Sequence, residues 1–314
     1  MTDMTPDIEK AIAALNAGEL VAIPTETVYG LAADASSPTA VRKIFALKGR
    51  PPSRPLIVHL PYAEAIDRWA SWVPDYARRW ASVFWPGPLA MVLPRQSGVL
   101  NEVTGGQDTV ALRVPDHPLT LALLEAFGGG LAAPSANRYG RISPTTAAHV
   151  RDEFGSEAPL ILDGGPCRVG IESTIVSCLD DTPRILRPGS ISAMALSQAA
   201  GVPVLSGAGD THVVVPGQVA SHYAPVTPTQ LLPHGKTSIW AGSEVRAGFL
   251  GFHSPPFPVE AQQLLALQPE VAAQQLYAAL RQLDDTALET ILIEAPPSDP
   301  EWEGVWDRLR RACA

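Results

Sequence analysis

The sequence predicts an α/β protein, in which a twisted mixed sheet with flanking helices is followed by a smaller, Rossmann-like parallel α/β domain. Two observations predict this fold. Through the first two thirds of the chain, short apolar runs alternate irregularly with segments of helical period, a pattern that favours helices packed on one sheet. In the last third the strands and helices alternate in short units, which is typical of a small parallel sheet.

The first domain begins with an amphipathic segment at residues 6–17, where Ile8, Ile12 and Leu15 recur on one helical face. The last helical segment of this domain follows Ser143-Pro144, which we expect to be an N-cap and a proline at N1. The helical segments after the first are 39–47, 61–72, 117–127 and 144–153. The predicted strands are 20–23, 56–60, 89–93, 110–114, 131–133, 160–162, 174–178 and 184–186.

The composition changes at about residue 206, where small residues and prolines predict a connector. Three parts are therefore expected: a domain at 1–205, a connector or lid at 206–228, and a small domain at 229–314. The small domain has no G-x-G-x-x-G motif, so a dinucleotide site is not expected there. Its predicted strands are 237–241, 245–252 and 290–294, and its predicted helices are 260–267, 269–283 and 302–312.

The charge argues against a large nucleic-acid surface. The 314 residues carry a net charge of −9. Residues 1–205 have 17 basic and 20 acidic residues, a net −3, and the remainder has 6 and 12, a net −6. The basic residues of the first domain cluster at 42–54, and a local cluster in an acidic protein suits a small anionic ligand better than a polynucleotide.

The three cysteines, Cys167, Cys178 and Cys313, are too few and too scattered for a disulfide framework or a cysteine-based zinc site. The amino terminus lacks the features of a signal peptide. No run approaches the roughly 20 apolar residues that span a bilayer. We therefore expect a soluble cytoplasmic protein with no membrane association.

The stretch Pro-Thr-Glu-Thr-Val-Tyr-Gly at residues 24–30 directly follows an apolar run at 20–23. It places two hydroxyls and a carboxylate at the carboxyl end of a strand, where open α/β sheets form ligand sites. Gly30 allows a tight turn or a close approach of the backbone. A polar turn between two elements would have the same composition, so this stretch alone leaves both interpretations open.

Five further blocks follow in order, and together with the first they decide between these interpretations. The six blocks are 24–30, 48–59, 110–115, 133–137, 171–176 and 185–189, and the connector adds Val-Pro-Gly at 215–217 and Ser-His-Tyr-Ala-Pro at 221–225. In these blocks the sequence resembles the YrdC-like family, specifically the two-domain threonylcarbamoyl-AMP synthases. The resemblance covers nearly the whole chain, and it implies a Rossmann-like second domain.

The resemblance implies a nucleotidyltransferase that joins L-threonine, bicarbonate or CO2, and ATP into L-threonylcarbamoyladenylate and releases pyrophosphate. The product would pass to a tRNA threonylcarbamoyl-transferase complex for modification of the adenosine beside the anticodon. Such a site supplies cations and positioning more than a protein nucleophile. Mg2+ is expected with ATP, held largely by phosphate oxygens and water, and no protein ligand for it is assigned.

Site residues are implied position by position. Lys48 and Arg50 match the phosphate-binding, catalytic pair, and on an exposed, extended loop residues i and i+2 would point the same way. Arg54 stands where the family usually has Asn, and it cannot accept a hydrogen bond as an Asn carbonyl can. The implied threonine contacts are Thr27, His59, Arg113, Ala133 and Ser173. The implied ATP contacts are Lys48, Arg50, Arg54, Thr109, Ser135, Asn137, Ser143, Arg187 and Tyr223.

Three other functions are weighed. A non-catalytic RNA-binding module is disfavoured by the charge of −9. A carbamoyltransferase of the hydrogenase-maturation type would require zinc-finger cysteine pairs and further domains that this chain lacks. A nucleotide sensor without turnover would have the same ligand residues. The connector is expected to act as a lid, with His222 and Tyr223 reaching the pocket of the first domain, because a plain linker has no need of such large side chains.

Overall fold

The protein was analysed as a computed structural model, which describes residues 5–207, 213–219, 221–235 and 245–314. Within these residues the strands form one nine-stranded mixed sheet and one four-stranded parallel sheet, each with packed helices. The predicted fold class is confirmed. The connector residues that are described, including 213–219, run between the two sheets along the chain.

The α-helices are α1 (Pro6–Asn16), α2 (Pro38–Lys48), α3 (Asp75–Phe84), α4 (Asn101–Thr104), α5 (Pro118–Phe127), α6 (Ala147–Phe154), α7 (Ala193–Ala200), α8 (Pro269–Asp284) and α9 (Glu303–Ala312). The strands are β1 (Val21–Ile23), β2 (Gly30–Asp34), β3 (Ile57–His59), β4 (Leu89–Pro94), β5 (Thr109–Arg113), β6 (Leu131–Ala132), β7 (Leu160–Ile161), β8 (Thr174–Ser177), β9 (Arg184–Arg187), β10 (Thr229–Leu232), β11 (Ala247–Gly251), β12 (Ala261–Leu264) and β13 (Thr290–Glu294). Short 3-10 helices lie at Ala63–Arg68, Gly155–Glu157 and Pro300–Trp302.

The large sheet has the strand order β7-β1-β2-β6-β3-β5-β4-β8-β9. Its central pair, β3 and β5, is parallel, with His59 in register with Arg113. These two residues end their strands on the same edge of the sheet. β2 runs parallel to β3, with Asp34 level with His59, so its first residue, Gly30, lies towards the opposite edge and bridges to Ser135 there. A side chain at residue 30 would press on Ala133, because its Cβ would lie 3.3 Å from the Ala133 Cβ.

Helices cover both faces of the large sheet. On one face α2, α3 and α7 pack over an apolar core that contains the fully buried Trp80. The Trp80 indole donates to the Leu196 carbonyl oxygen at 2.8 Å and so joins α3 to α7. On the other face α1 and α5 pack together over a second cluster that includes Leu15 and Leu124. Burial on both faces explains why most strands here are continuous apolar runs.

The small sheet has the order β10-β13-β11-β12, with all of its strand pairs parallel. Helices α8 and α9 pack together beside it, and the cluster they form extends into the first domain. Tyr277 of α8 and Tyr223 of the connector belong to this same cluster. The apolar contact between the two halves of the protein is therefore continuous with the core of the small domain.

Several predicted elements differ from the structure. Residues 260–267, predicted as a helix, contain the edge strand β12, whose side chains alternate between half-buried and exposed. Residues 61–72 form a 3-10 helix only at Ala63–Arg68. The helix predicted at 144–153 begins at Ala147 with Thr146 as its N-cap, so Ser143 is not a cap. The strand predicted at 237–241 lies outside the described residues.

Candidate functional site

A pocket lies where the loop after β1 meets the carboxyl ends of β3 and β5 and the connector. Its volume is about 50 Å³. It is lined by Thr25, Thr27, Val28, Gly30, Arg50, Ile57, His59, Arg113, Ala133, Pro134, Ser135, Glu172, Ser173, Arg187, Pro216, Gly217, His222 and Tyr223. Ligand pockets usually measure roughly 300–1,000 Å³, so this pocket is small for a nucleotide together with a second substrate.

The pocket gathers most of the residues predicted for the site. Those in its lining are Thr27, Arg50, His59, Arg113, Ala133, Ser135, Ser173, Arg187 and Tyr223. Those outside its lining are Lys48, Arg54, Thr109, Asn137 and Ser143. Thr109 is the first residue of β5 and is half-buried, and Arg54 is also half-buried.

Arg113 is held by an ion pair that the sequence did not predict. Its Nη2 lies 2.7 Å from Oε2 of Glu26, and both side chains are buried. Its Nε donates to the Gly87 carbonyl oxygen at 3.2 Å. The Nη2 contact lacks hydrogen-bond geometry, so Glu26 pairs with Arg113 through charge, and the guanidinium lines the pocket, where a ligand carboxylate could engage it.

His59 is the register neighbour of Arg113 and is buried to the same degree. Burial, reinforced by the nearby charge of Arg113, lowers the pKa of His59 to about 3. The imidazole is therefore neutral at physiological pH. Its Nδ1 is buried without a partner, which leaves a polar atom in the pocket wall for a ligand.

The loop after β1 contributes hydroxyls fixed by their own hydrogen bonds. The Oγ1 atoms of Thr25 and Thr27 lie 2.9 Å apart, and Thr25 Oγ1 donates to the Val28 carbonyl oxygen at 2.6 Å. Thr25 was not predicted as a site residue, although it stands in the same motif. Since Thr25 closes the turn, Thr27 is held with its hydroxyl in the pocket wall.

The positions of Lys48 and Arg50 correct the prediction of an exposed, extended loop. Lys48 is the last residue of α2, and Gly49 follows in a left-handed conformation with φ 62°. Only a residue without Cβ adopts this conformation freely, so Gly49 ends the helix and turns the chain. Both Lys48 and Arg50 are buried. Their side chains have different hydrogen-bond partners, and of the two only Arg50 lines the pocket.

Lys48 supports the turn beside the pocket. Its Nζ donates to the carbonyl oxygens of Ser135 and Asn137, at 2.6 and 2.5 Å. Burial, followed by the charge of Arg50, lowers the pKa of Lys48 well below its usual value. The Asn137 amide in turn donates to the carbonyl oxygens of Arg138 and Arg141. Lys48 and Asn137 thus shape the Pro-Ser-Ala-Asn turn that presents Ser135.

Arg50 supplies a cation to the pocket. Its Nη2 donates to the Pro55 carbonyl oxygen at 2.9 Å, and its guanidinium lies 5.7 Å from the Tyr139 ring centroid. Burial lowers the pKa of Arg50 to about 10, so the side chain remains protonated at neutral pH. Its Nε is buried without a partner, which is unusual for so strong a donor and is consistent with an anionic ligand.

Arg187 joins the sheet to the connector. Its Nε and Nη2 donate to the Ser173 carbonyl oxygen, Nη2 also donates to Ser173 Oγ, and Nη1 donates to the Pro216 carbonyl oxygen at 3.2 Å. Burial lowers the pKa of Arg187 from its ordinary value. This guanidinium therefore fixes the connector against β8 and β9 while lining the pocket.

His222 and Tyr223 of the connector close the pocket. Their rings meet edge to face with centroids 4.1 Å apart, and burial lowers the pKa of His222 to about 3. Tyr223 has φ 62°, and its buried hydroxyl has no partner. A non-glycine residue in this region costs about 1–3 kcal/mol and is common at ligand clamps. Gly217 is required beneath it, because a Cβ there would collide with the Tyr223 hydroxyl.

Glu172 is a charged pocket residue that the sequence analysis did not predict. It precedes Ser173 in a predicted block, and a carboxylate at the entry to an apolar strand was the available signal. Its Oε1 accepts from Ser143 Oγ at 2.5 Å, so Ser143 supports Glu172 from outside the pocket. Its Oε2 accepts from Tyr277 and Arg308 of the small domain.

Within the residues described, no group of three or more His, Cys, Asp or Glu side chains could hold a metal ion. The two carboxylates nearest the pocket, Glu26 and Glu172, are each paired with an arginine. In the same part of the chain, no helix is long and apolar enough to cross a membrane.

Comparison with known proteins matches both halves of the chain. Residues 13–189 match the Sua5/YciO/YrdC family described as Telomere recombination, and residues 190–314 match the family described as Threonylcarbamoyl-AMP synthase, C-terminal domain. A threonylcarbamoyl-AMP synthase from Bacillus subtilis is 38% identical over 98% of this chain and 93% of its own length. One from Pyrococcus abyssi is 36% identical over 94% of this chain and 90% of its own.

The fold agrees with a solved structure over the full length. The crystal structure of P. abyssi Sua5 complexed with L-threonine superposes with a TM-score of 0.90 at 34% identity, covering 99% of this chain and 96% of the other. The sequence resemblance, the two domain matches and the superposition agree. The chain belongs to the threonylcarbamoyl-AMP synthase family.

Proposed function

We propose that this protein uses its pocket to make L-threonylcarbamoyladenylate from L-threonine, bicarbonate or CO2, and MgATP, with release of pyrophosphate. Family membership supports this nucleotidyltransferase activity. The observation that carries the proposal is the pocket wall, where three buried arginines, Arg50, Arg113 and Arg187, converge. Their charges suit substrates that each bring negative charge to the site.

The side of the pocket that binds threonine is formed by Arg113 together with the hydroxyls of Thr27 and Ser173. The guanidinium of Arg113, which lines the pocket, is suited to the amino acid carboxylate. His59 is a neutral neighbour, and Thr27 and Ser173 supply small polar groups. This assignment is supported by a relative whose structure contains L-threonine.

Arg50, Ser135, Arg187 and Tyr223 form the nucleotide side. Arg50 neutralises phosphate charge, and the turn at Ser135 offers a hydroxyl and backbone amides. Lys48 acts on this turn rather than on phosphate, because its Nζ is already occupied by two carbonyl oxygens. Mg2+ enters as part of the MgATP substrate and is held by phosphate oxygens and water, since the nearby carboxylates are already paired.

The reaction then needs positioning more than a protein nucleophile. The carbamate formed on the threonine nitrogen attacks the α-phosphorus through an oxygen, the bond from that phosphorus to the bridging oxygen breaks, and pyrophosphate leaves. The arginines stabilise charge as it shifts toward the leaving group. The connector excludes water, which would hydrolyse the mixed anhydride. The product supplies a threonylcarbamoyl transferase complex that modifies tRNA in the cytoplasm.

Incubation of the protein with MgATP, bicarbonate and labelled threonine tests the proposal. The expected result is labelled threonylcarbamoyl-adenylate together with an equal amount of pyrophosphate, and omission of any substrate should abolish both. Binding of ATP and threonine by folded protein without product would favour a sensor. Retention of tRNA that weakens with salt, again without product, would favour an RNA-binding module.

A further inference from the structure

Two side chains of the small domain reach the wall of the pocket. Arg308 of α9 donates from Nε to Glu172 Oε2 at 2.7 Å, from Nη2 to the Glu172 carbonyl oxygen at 3.1 Å, and from Nη1 to the Pro188 carbonyl oxygen at 2.8 Å. Tyr277 of α8 donates its hydroxyl to the same Oε2 at 2.9 Å. Arg308 is only 1% exposed, so these bonds form out of solvent.

Glu172 connects these contacts to the pocket. It lines the pocket, and the next residue, Ser173, accepts hydrogen bonds from Arg187. Burial alone raises the pKa of a carboxyl group, but Arg308 and Arg187, with the hydrogen bond from Ser143, hold the pKa of Glu172 at about 2. The carboxylate is therefore ionised, and donors from both domains fix its orientation.

The same two side chains also support the connector. The Arg308 guanidinium lies 5.2 Å from the centroid of the Tyr223 ring, within cation–π range. The Tyr277 ring also packs against Tyr223, at 5.9 Å between centroids. One small-domain cluster thus contacts two separate parts of the pocket wall, Glu172 and Tyr223.

We propose that Arg308 and Tyr277 are positioning residues of the active site, so that the small domain completes the pocket by orienting Glu172 and Tyr223. The inference rests on the proposed synthase activity and gives the small domain a role in it. A domain held only by its interface would not need a fully buried arginine to end on a pocket residue. A second ion pair of the small domain does not end on a pocket residue and can serve as a control. Arg281 of α8 contacts Glu153 at 3.0 Å, and neither residue lines the pocket.

The test compares Arg308→Met, Tyr277→Phe and the matched control Arg281→Met in the full-length protein. Initial rates of pyrophosphate release are measured over ranges of MgATP and threonine, with thermal unfolding of each variant. A lost hydrogen bond to a charged group corresponds to about a ten-fold effect or more. Arg308→Met should therefore lower kcat at least about ten-fold and Tyr277→Phe several-fold, whereas Arg281→Met should keep kcat near the parent value. Equal kcat in Arg308→Met and Arg281→Met would overturn the inference.

The double variant Glu172→Gln/Arg308→Met guards against misfolding, because it removes both members of the buried pair and leaves no isolated charge. This double variant should fold but keep a low kcat. A kcat equal to that of the parent would show that orientation of Glu172 in the pocket wall is dispensable. Arg308→Met should also lose activity at higher pH than the parent as the solution is acidified, since Glu172 then titrates without its partner. A parent protein that forms no product would instead refute the synthase activity itself.

Discussion

Arg113, which lines the pocket, and Glu26, which does not, form a buried ion pair of 2.7 Å that joins the end of β5 to the loop after β1. Glu26 also accepts from the Asp116 backbone amide at 3.0 Å. The carboxylate is thus fixed independently of Arg113 and holds the guanidinium in place before any ligand binds. Such preorganisation lowers the entropy cost of positioning a substrate carboxylate.

The first prediction concerns this pair. Arg113→Lys should raise the KM for threonine much more than the KM for ATP, because an ammonium group cannot reproduce the planar fork. The expected loss is about 1.5–3 kcal/mol in kcat/KM for threonine. Steady-state kinetics with each substrate varied in turn provides the measurement. Arg78→Lys, at a surface ion pair with Asp67, is the control. An unchanged KM for threonine in Arg113→Lys would show that Arg113 does not bind threonine.

The second prediction separates Arg50 from Lys48. Arg50→Gln should weaken ATP binding, because a pocket cation is lost. Lys48→Met should chiefly lower the free energy of unfolding, by about 1–3 kcal/mol, because two buried carbonyl oxygens lose their donor. Urea denaturation and ATP titration of both variants test this. The opposite pattern would show that Lys48 binds phosphate. In that case Lys48→Met would change only the affinity for ATP, and Arg50→Gln would change only the free energy of unfolding.

The third prediction concerns the connector as a lid. A pocket of about 50 Å³ is too small for both substrates, so Tyr223 and its neighbours must move to admit them and then close again. Proteolysis within 206–228 should therefore slow when ATP and threonine are bound together. Tyr223→Ala should release more hydrolysed threonylcarbamoyl product, because water then reaches the adenylate. Equal cleavage with and without ligands, together with a parent-like Tyr223→Ala, would mean that the connector is a tether.

The fourth prediction concerns acid stability. The pKa of His59 is lowered to about 3 by burial and by Arg113, whereas an unfolded His titrates at about 6.5. Between these values the unfolded chain binds more protons, so stability falls as the pH falls, by about 1.4 kcal/mol per pH unit for this group. His59→Asn should flatten the dependence of unfolding free energy on pH between about 4.5 and 5.5 by that amount. A parent-like slope in His59→Asn would contradict the prediction.

The sequence predicted those elements whose pattern is set by burial. The strands ending at His59 and Arg113 are continuous apolar runs covered on both faces, and their motifs placed both residues in one pocket. The edge strand β12 was misassigned because Gln262 and Gln263 at an exposed edge carry little strand signal. Strand β2 was not predicted, because its Gly-Leu-Ala-Ala-Asp sequence lacks β-branched residues and is held by close strand contacts.

The site was predicted less completely for a related reason. Motifs identify residue types but not the direction in which a side chain leaves the backbone. Lys48 and Arg50 differ in role because Gly49 reverses the chain between them. Arg308 and Tyr277 lie in amphipathic helices where sequence alone offers no sign of a distant carboxylate, and only tertiary packing brings them to Glu172.

The bond between Glu172 and Arg308 closes a loop of 136 residues. Contacts so distant along the chain form late in folding, because closing a long loop costs entropy before any contact compensates for it. The central β3–β5 and β4–β5 pairs join much closer segments and can assemble earlier. A refolding molecule therefore acquires the β3–β5–β4 part of its sheet before the contact between Glu172 and Arg308, and substrate binding should be among the last properties that it regains.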